Sequence, residues 1–290
     1  MTALALVNPQ NKNITFRVFT FDDNTSFSEV QRTPSFSMIL VTHGSGKLET
    51  DFSVLDFESN VLMCFTPYQP YKLKYSGRIS GVALLFHSDF LCVYKHHKEI
   101  ACNGVLFNDI YKSLLVSLRS EETTELEKLA IQMLTEVANT EIAQYELLVS
   151  YLKIFLITAT RIKIAKDSAQ GKINSSTNEP FIVQRLKEAI EKHYRTKHTP
   201  GDYAALLEVS PTSLAKALKK HLNKTLTNLI SERIVIEAKR ELYLTSKPVK
   251  EIAFELGFPD EFYFSRFFKT NADVSPQIYR NTVGYAKAEA

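Results

Sequence analysis

Arg266 and Lys269 fall on one side of a helix, together with Phe262 and Ser265, if Phe264 and Phe268 point inward, because residues three and four apart share a face. That outward side, to which Glu261 belongs, carries two positive charges and the reach to enter a major groove. A guanidinium at Arg266 can hold a guanine edge with two hydrogen bonds, and an ammonium at Lys269 suits a phosphate. This is chemistry for reading a duplex rather than for making or breaking bonds. The competing reading is a helical hairpin that merely packs inside a larger fold.

The elements needed to present such a face are legible around it. Ile252, Ala253 and Leu256 form one apolar stripe at helical spacing, and Gly257 then breaks the helix where a left-handed residue is needed. Asp260 is placed to cap a second helix whose inward positions are Phe264 and Phe268. Two short helices around a glycine turn predict a helix-turn-helix. The same pattern occurs earlier. Tyr203, Ala204, Leu207 and Val209 match Ile252, Ala253, Leu256 and Phe258 at an offset of 49, and Leu214, Leu218 and Lys219 match Phe264, Phe268 and Lys269 at an offset of 50. The second copy therefore has one extra residue at its turn. In the first copy Glu208 stands where the second has Gly257, and Thr212, Ala215, Lys216 and Lys219 are left outward. Lys220 and Lys224, near the end of that helix, suit phosphates better than bases, as Lys269 does in the second copy. A further helix is expected over Phe181–Tyr194, and Ile230–Leu244 reads as a rod between the copies. Two such helices on one chain can enter successive grooves about 34 Å apart on one DNA face.

The run from Arg233 through Ala238 and Leu242, then Glu251–Ala253, Gly257–Phe258, Tyr263–Lys269 (YFSRFFK) and Ser275–Arg280 (SPQIYR), resembles the AraC/XylS family of transcription regulators. One departure is Asp273, where that family has glycine before the Ser-Pro; Asp tolerates the left-handed region better than most residues. The resemblance implies a DNA-binding transcription regulator over residues 180–290, expected to act as an activator although the sequence leaves the sign of regulation open, with promoter DNA and RNA polymerase as partners.

Charge supports the division of labour. From Pro180 to Ala290 there are 18 Lys and Arg against 13 Asp and Glu, whereas the preceding residues have 17 against 19. The basic half is the one that would face phosphates. The three cysteines, Cys64, Cys92 and Cys102, have no metal-finger spacing, and an odd count points to reduced thiols in a reducing cytoplasm. The first residues, MTALALVNPQNKN, lack the basic segment and apolar core of a secretory signal. Tyr145–Ala165 is apolar enough to raise a membrane question, but Lys153 near its middle would cost about 3 kcal/mol, so no span is expected.

Residues 14–92 alternate in the manner of short strands, over Ile14–Phe21, Phe36–Gly44, Gly46–Phe57, Asn60–Pro67 and Gly81–Leu91, broken by Gly and Pro turns. Many short strands at roughly ten-residue spacing predict a sandwich or jelly roll. In the setting of the family resemblance this is similar to the cupin-type barrel that many such regulators carry as an effector domain. Metal-binding cupins offer a His-x-His pair; this chain has His43, His87 and the adjacent His96 and His97, and places Tyr71 where related domains have histidine in Pro-x-Gln-x-His. No metal and no cofactor are expected. A small-molecule pocket is the better expectation, with Arg17, Phe36, Phe52, Phe65, Tyr68 and Tyr71 as lining residues. The competing reading is that these aromatics fill the barrel.

After Asp109 the period becomes helical: a short helix over Ile110–Leu118, another over Thr123–Asn139, and a long one over Glu141–Lys166. The long helix is apolar on several sides and needs two burial surfaces, which makes Leu148, Leu152 and Phe155 candidates for a homodimer contact. Asp167–Glu179 is small and polar, a flexible linker. The expectation is thus an α+β protein: a cupin-like β-barrel with dimerisation helices over residues 1–166, a linker over 167–179, and an all-α domain with two helix-turn-helix motifs over 180–290. Its expected function is sequence-specific, effector-controlled DNA binding without catalysis. A cupin-type enzyme with an appended DNA-binding module, and a regulator without a small-molecule effector, are the alternatives.

Overall fold

A computed structural model describes residues 4–7, 14–23, 25–50, 53–93, 105–107, 110–111, 114–139, 141–174, 181–222 and 224–283. Two compact units emerge: Met1–Asp109 with Ser113–Asp167, and Ile110–Lys112 with Ser168–Ala290.

The first unit is built on β1 (Leu4–Val7), β2 (Ile14–Asp23), β3 (Phe36–His43), β4 (Gly46–Thr50), β5 (Val54–Phe57), β6 (Val61–Phe65), β7 (Tyr71–Lys74), β8 (Ile79–Phe86) and β9 (Leu115–Ser117). The larger sheet runs β1-β2-β8-β3-β6-β9, and the smaller β5-β4-β7. Continuous apolar strands such as FSMILV and VLMCF follow from burial on both faces of the larger sheet. Its inner face gives Phe19, Phe21, Ile39, Val41, Met63 and Ala83 to a core completed by Leu48, Phe57 and Leu73 of the smaller sheet. Its outer face, with Phe16, Met38, Leu40 and Leu84 buried, is crossed by α1 (Ser120–Ala138). The smaller sheet is covered on one side only and alternates accordingly. Leu48 is buried, while its neighbours Lys47 and Glu49 look outward to pair with Asp56 and Lys74.

The two sheets form the sandwich that the strand spacing suggests, and closure into a cupin-like barrel is not seen among the described residues. Among the described residues no ladder joins the two sheets; only an isolated bridge between Gln31 and Tyr71 approaches one. The chain leaves β3 through Gly44, at φ +103°, and so turns out of the large sheet instead of continuing its ladder.

Two helix expectations are corrected. Leu115–Ser117 lies inside the expected Ile110–Leu118 helix, yet it pairs antiparallel with β6, Leu62 opposite Val116. An open sheet edge offers backbone partners that a three-residue helical period cannot outweigh. The long helix, α2, spans Gln144–Asn174 and so continues into the expected linker; residues 175–180 lie outside the described residues. No helix among the described residues is long and apolar enough to cross a membrane.

The second unit contains α3 (Phe181–His193), α4 (Pro200–Leu206), α5 (Pro211–Leu222), α6 (Leu226–Leu244), α7 (Val249–Glu255), α8 (Glu261–Ala272) and α9 (Pro276–Val283). The expected rod is α6, which packs against α3, α5, α7, α8 and α9. It buries Leu229, Ile230, Ile234, Ala238 and Leu242 and also the carboxylate of Glu237. Arg195, Arg233 and Arg240 surround that carboxylate at 3.0, 3.2 and 3.4 Å. Burial alone would raise the Glu237 pKa, but Arg233 first, then Arg240 and Arg195, hold it below the ordinary carboxylate value. Arg280 of the SPQIYR run closes the far end of the rod, donating to the carbonyl oxygens of Leu242 and Lys247 at 3.2 and 2.7 Å.

Candidate nucleic-acid interface

Each helix pair is set up by its caps. For α4 the cap is Thr199, whose hydroxyl accepts from the Asp202 amide while the Asp202 carboxylate accepts from the Thr199 amide. Pro200 follows at the first helical position, where its missing N–H costs nothing. Ser210 plays the same part before α5, accepting from the Ser213 amide at 3.1 Å. For α8 the cap is Asp260, as expected, accepting from the Tyr263 amide at 2.7 Å.

The turns differ as the sequence offset requires. Residues 207–210 join α4 to α5, and residues 256–260 join α7 to α8, one residue more. Gly257 is left-handed, at φ +79°. Glu208 adopts the same region at φ +57° with a side chain that disfavours it. Asp273 ends α8 at φ +61°, doing what glycine would do there.

With Leu214 and Leu218 fully buried, Thr212, Ala215, Lys216, Lys219 and Lys220 all stand exposed on α5. With Phe264 and Phe268 buried, Phe262, Arg266 and Lys269 stand exposed on α8, and Glu261 and Ser265 are half-buried beside them. The ten side chains thus gather into one exposed set on each pair.

Lys224 does not join them. Its ammonium donates to both carboxylate oxygens of Glu232, at 3.0 and 2.6 Å, and to the Ile110 carbonyl at 3.0 Å. Spacing along α5 placed it toward phosphates; the start of α6 brings it a largely covered acid instead, 12% exposed, and a paired cation has little left for DNA. Tyr263 was missed. It is half-exposed, with its ring 5.8 Å from that of Phe258, and the available signal was its place between outward Phe262 and inward Phe264. The arginine cage was also missed, although Arg233 and Arg240 stand at i−4 and i+3 from Glu237, within reach on a helix.

The first unit separates the residues chosen for a pocket. Arg17, Leu85, Ser37 and Phe65 pair across four strands and so lie in one row on the inner face. Phe65 stacks on Tyr71 with centroids 4.0 Å apart and planes at 11°, and burial pushes the Tyr71 pKa up to about 12. Phe36 is on the opposite face, between Phe86 and Phe107 at 5.2 and 4.9 Å, because neighbours along a strand alternate sides. All three rings are buried in packed core, Phe65 and Tyr71 on one face of the sheet and Phe36 on the other. Tyr68, left-handed at φ +58°, sits in a turn, and Phe52 lies outside the described residues. Arg17 is the exception: half-buried, with its guanidinium 4.8 Å over the Phe19 ring and no ion pair among the described residues.

Leu148, Leu152 and Phe155 are fully buried within the first unit and cannot form a dimer contact. The stripe was identified correctly but faces inward. Among the described side chains of α2, Tyr145, Leu147, Ile154 and Ile164 are large hydrophobic residues left exposed, at 48, 40, 48 and 46%.

The sequence model of a family described as a helix-turn-helix domain matches residues 203–282, which span both helix pairs. The chain is 30% identical over 100 residues to the regulatory protein SoxS of Salmonella typhimurium, covering 34% of this chain and 94% of that one. It is 26% identical over 241 residues to the HTH-type transcriptional activator Btr of Bacillus subtilis, covering 83% of this chain and 43% of Btr. The chain spans about half the length, or less, of several relatives it matches. Among solved structures, ToxT from Vibrio cholerae covers 92% of this chain and is itself covered to 98%, at 15% identity and a TM-score of 0.39.

Proposed function

Because this chain belongs to the AraC/XylS family of transcription regulators, we propose that it is a sequence-specific DNA-binding activator whose two helix pairs act as two helix-turn-helix motifs. The observation that carries this reading is the pair of exposed sets: Thr212, Ala215, Lys216 and Lys219 on α5, and Phe262, Arg266 and Lys269 on α8. Each stands on the second helix of a capped pair, the position that enters a major groove in helix-turn-helix proteins. Lys220 and Lys269 serve phosphates, and Arg266 serves a base edge. The protein works in the cytoplasm on promoter DNA, recruits RNA polymerase, and makes or breaks no covalent bond.

The sandwich unit senses a small molecule and pairs two copies of the chain. Support for an effector is the Arg17 guanidinium on the inner face, which an anionic ligand would satisfy. A regulator without an effector is the second reading, favoured by the close stacking of Phe65 on Tyr71 where a pocket was expected. Titration of the full chain against an enriched binding site and a scrambled duplex, at physiological salt, tests the main proposal. A ratio near one would refute it. Adding carboxylate ligands to the same titration separates the two readings of the sandwich.

A further inference from the structure

We propose that Phe262 reads the C5 methyl group of a thymine in the half-site met by α8. The inference rests on the DNA-reading proposal above and adds the chemistry of one contact. Phe262 is 80% exposed, more than any other large apolar side chain described in the second unit, and it lies in the first turn of α8. Its neighbours do not explain that exposure. Phe258, Phe264 and Phe267 pack around one another, with ring centroids 5.2 and 5.0 Å from Phe258, and Tyr263 joins them at 5.8 Å. Phe262 takes no part in that cluster.

The stripe it heads is ordered along the helix: Phe262, then Arg266 four residues on, then Lys269 three beyond. An apolar ring, a guanidinium fork and an ammonium in that order match a thymine methyl, a guanine edge and a phosphate. The first turn of a recognition helix is the part that reaches base edges, so the ring is in the reading position. The Phe262 to Arg266 step is about 6 Å of helical rise, roughly two base-pair steps of about 3.4 Å when a helix lies along the groove. The site is therefore expected to hold a T·A pair about two positions from a G·C pair. The first helix pair carries Thr212 at the matching position and Ala215 beside it, so a methyl contact there would be made by a much smaller group than the Phe262 ring.

The test uses the full-length chain. Duplexes are enriched from a random pool, and each thymine of the enriched site is replaced singly by deoxyuridine, which removes only the methyl. Losing one buried methyl corresponds to about fourfold in affinity. The expected result is a loss of that size at one thymine, about two pairs from a guanine whose replacement hurts the wild type but not Arg266→Ala. Phe262→Ala should be insensitive to that uracil and Phe262→Leu should remain sensitive. A wild type indifferent to uracil at every thymine would overturn the inference while leaving DNA reading intact, and so would a Phe262→Ala protein as sensitive as wild type. Failure to enrich any sequence would remove the DNA-reading proposal itself, and this contact with it.

Discussion

Gly257 is pressed against the backbone of Arg195: a Cβ at Gly257 would lie 2.1 Å from the Arg195 carbonyl oxygen. The turn between α7 and α8 is thereby seated on the segment that follows α3, where the His198 ring also packs on Phe258 at 4.8 Å. Two demands meet at one residue, a positive φ and the absence of a side chain. Gly257→Ala should therefore cost more than a left-handed residue alone. Strain of about 1–2 kcal/mol adds to a backbone clash that neither partner can rotate away from, for a total of about 3 kcal/mol or more. Denaturant unfolding of the mutant and wild-type chains measures this. An alanine variant within 1 kcal/mol of wild type would show that the seat is soft.

Glu208 provides the reverse experiment. It holds the equivalent left-handed position without glycine's freedom, so Glu208→Gly should stabilise the unit by about 0.5–1 kcal/mol, the relief of strain exceeding the added chain entropy. A loss of stability on this change would mean that the Glu208 side chain makes contacts worth more than its strain.

The DNA face separates into three behaviours. Arg266→Ala should lose about 1–3 kcal/mol and relax preference at one position, while Lys220→Ala should weaken all sequences alike and reduce the salt slope by about one. Lys224→Ala should leave the salt slope unchanged. Its cost should fall on folding instead, about 1–3 kcal/mol, because Glu232, only 12% exposed, would be left without its cation. Titrations against specific and scrambled duplexes at several salt concentrations distinguish the three. Equal salt slopes for Lys220→Ala and wild type would remove Lys220 from the interface.

Much of the geometry of this candidate face was legible because it rests on local rules. A glycine turn, a capping aspartate and inward residues four apart fix both helices and the face that remains, and the offset between copies foretold the longer second turn. What escaped depended on distant residues. Lys224 meets Glu232 only after the chain turns into α6, and β9 becomes a strand only because β6 offers it an edge. The apolar stripe of α2 was read correctly, but periodicity cannot say whether a stripe faces its own sheet or another molecule. Phe36 and Phe65 were grouped wrongly for a related reason: alternation along β3 and β6 sends them to opposite faces of one sheet.

The arginine cage gives the helical unit an acid-sensitive fastening. Glu237 has its folded-state pKa held below the ordinary 4.5, so its contribution is present above that value and is lost as pH falls through the folded value. Glu237→Gln removes the charge while keeping the shape. The stability gap between wild type and this variant should be wide at neutral pH and close progressively below about pH 4.5. Melting curves of both proteins from neutral to acid pH give the gap directly. A gap that stays constant with pH would mean the carboxylate acts only through packing.

The proposed pairing of two copies now rests on the outer side of α2. Substituting charge at Leu152 or Phe155 strikes fully buried positions and should unfold the first unit rather than produce monomers, since an unpaired charge in an apolar core costs several kcal/mol. Leu147, Ile154 and Ile164 remain exposed along the helix, and Ile154 borders a shallow groove with Thr124, Lys128 and Leu129 of α1. A second copy laid along this stripe would bury apolar surface that a single chain leaves in water. Ile154→Glu combined with Leu147→Glu should then give a folded monomer, with circular dichroism unchanged and sedimentation showing one chain. Leu152→Glu is the control, expected to lose the fold. If the unmodified protein already sediments as a monomer at micromolar concentration, α2 is not a dimer contact and the stripe faces only water.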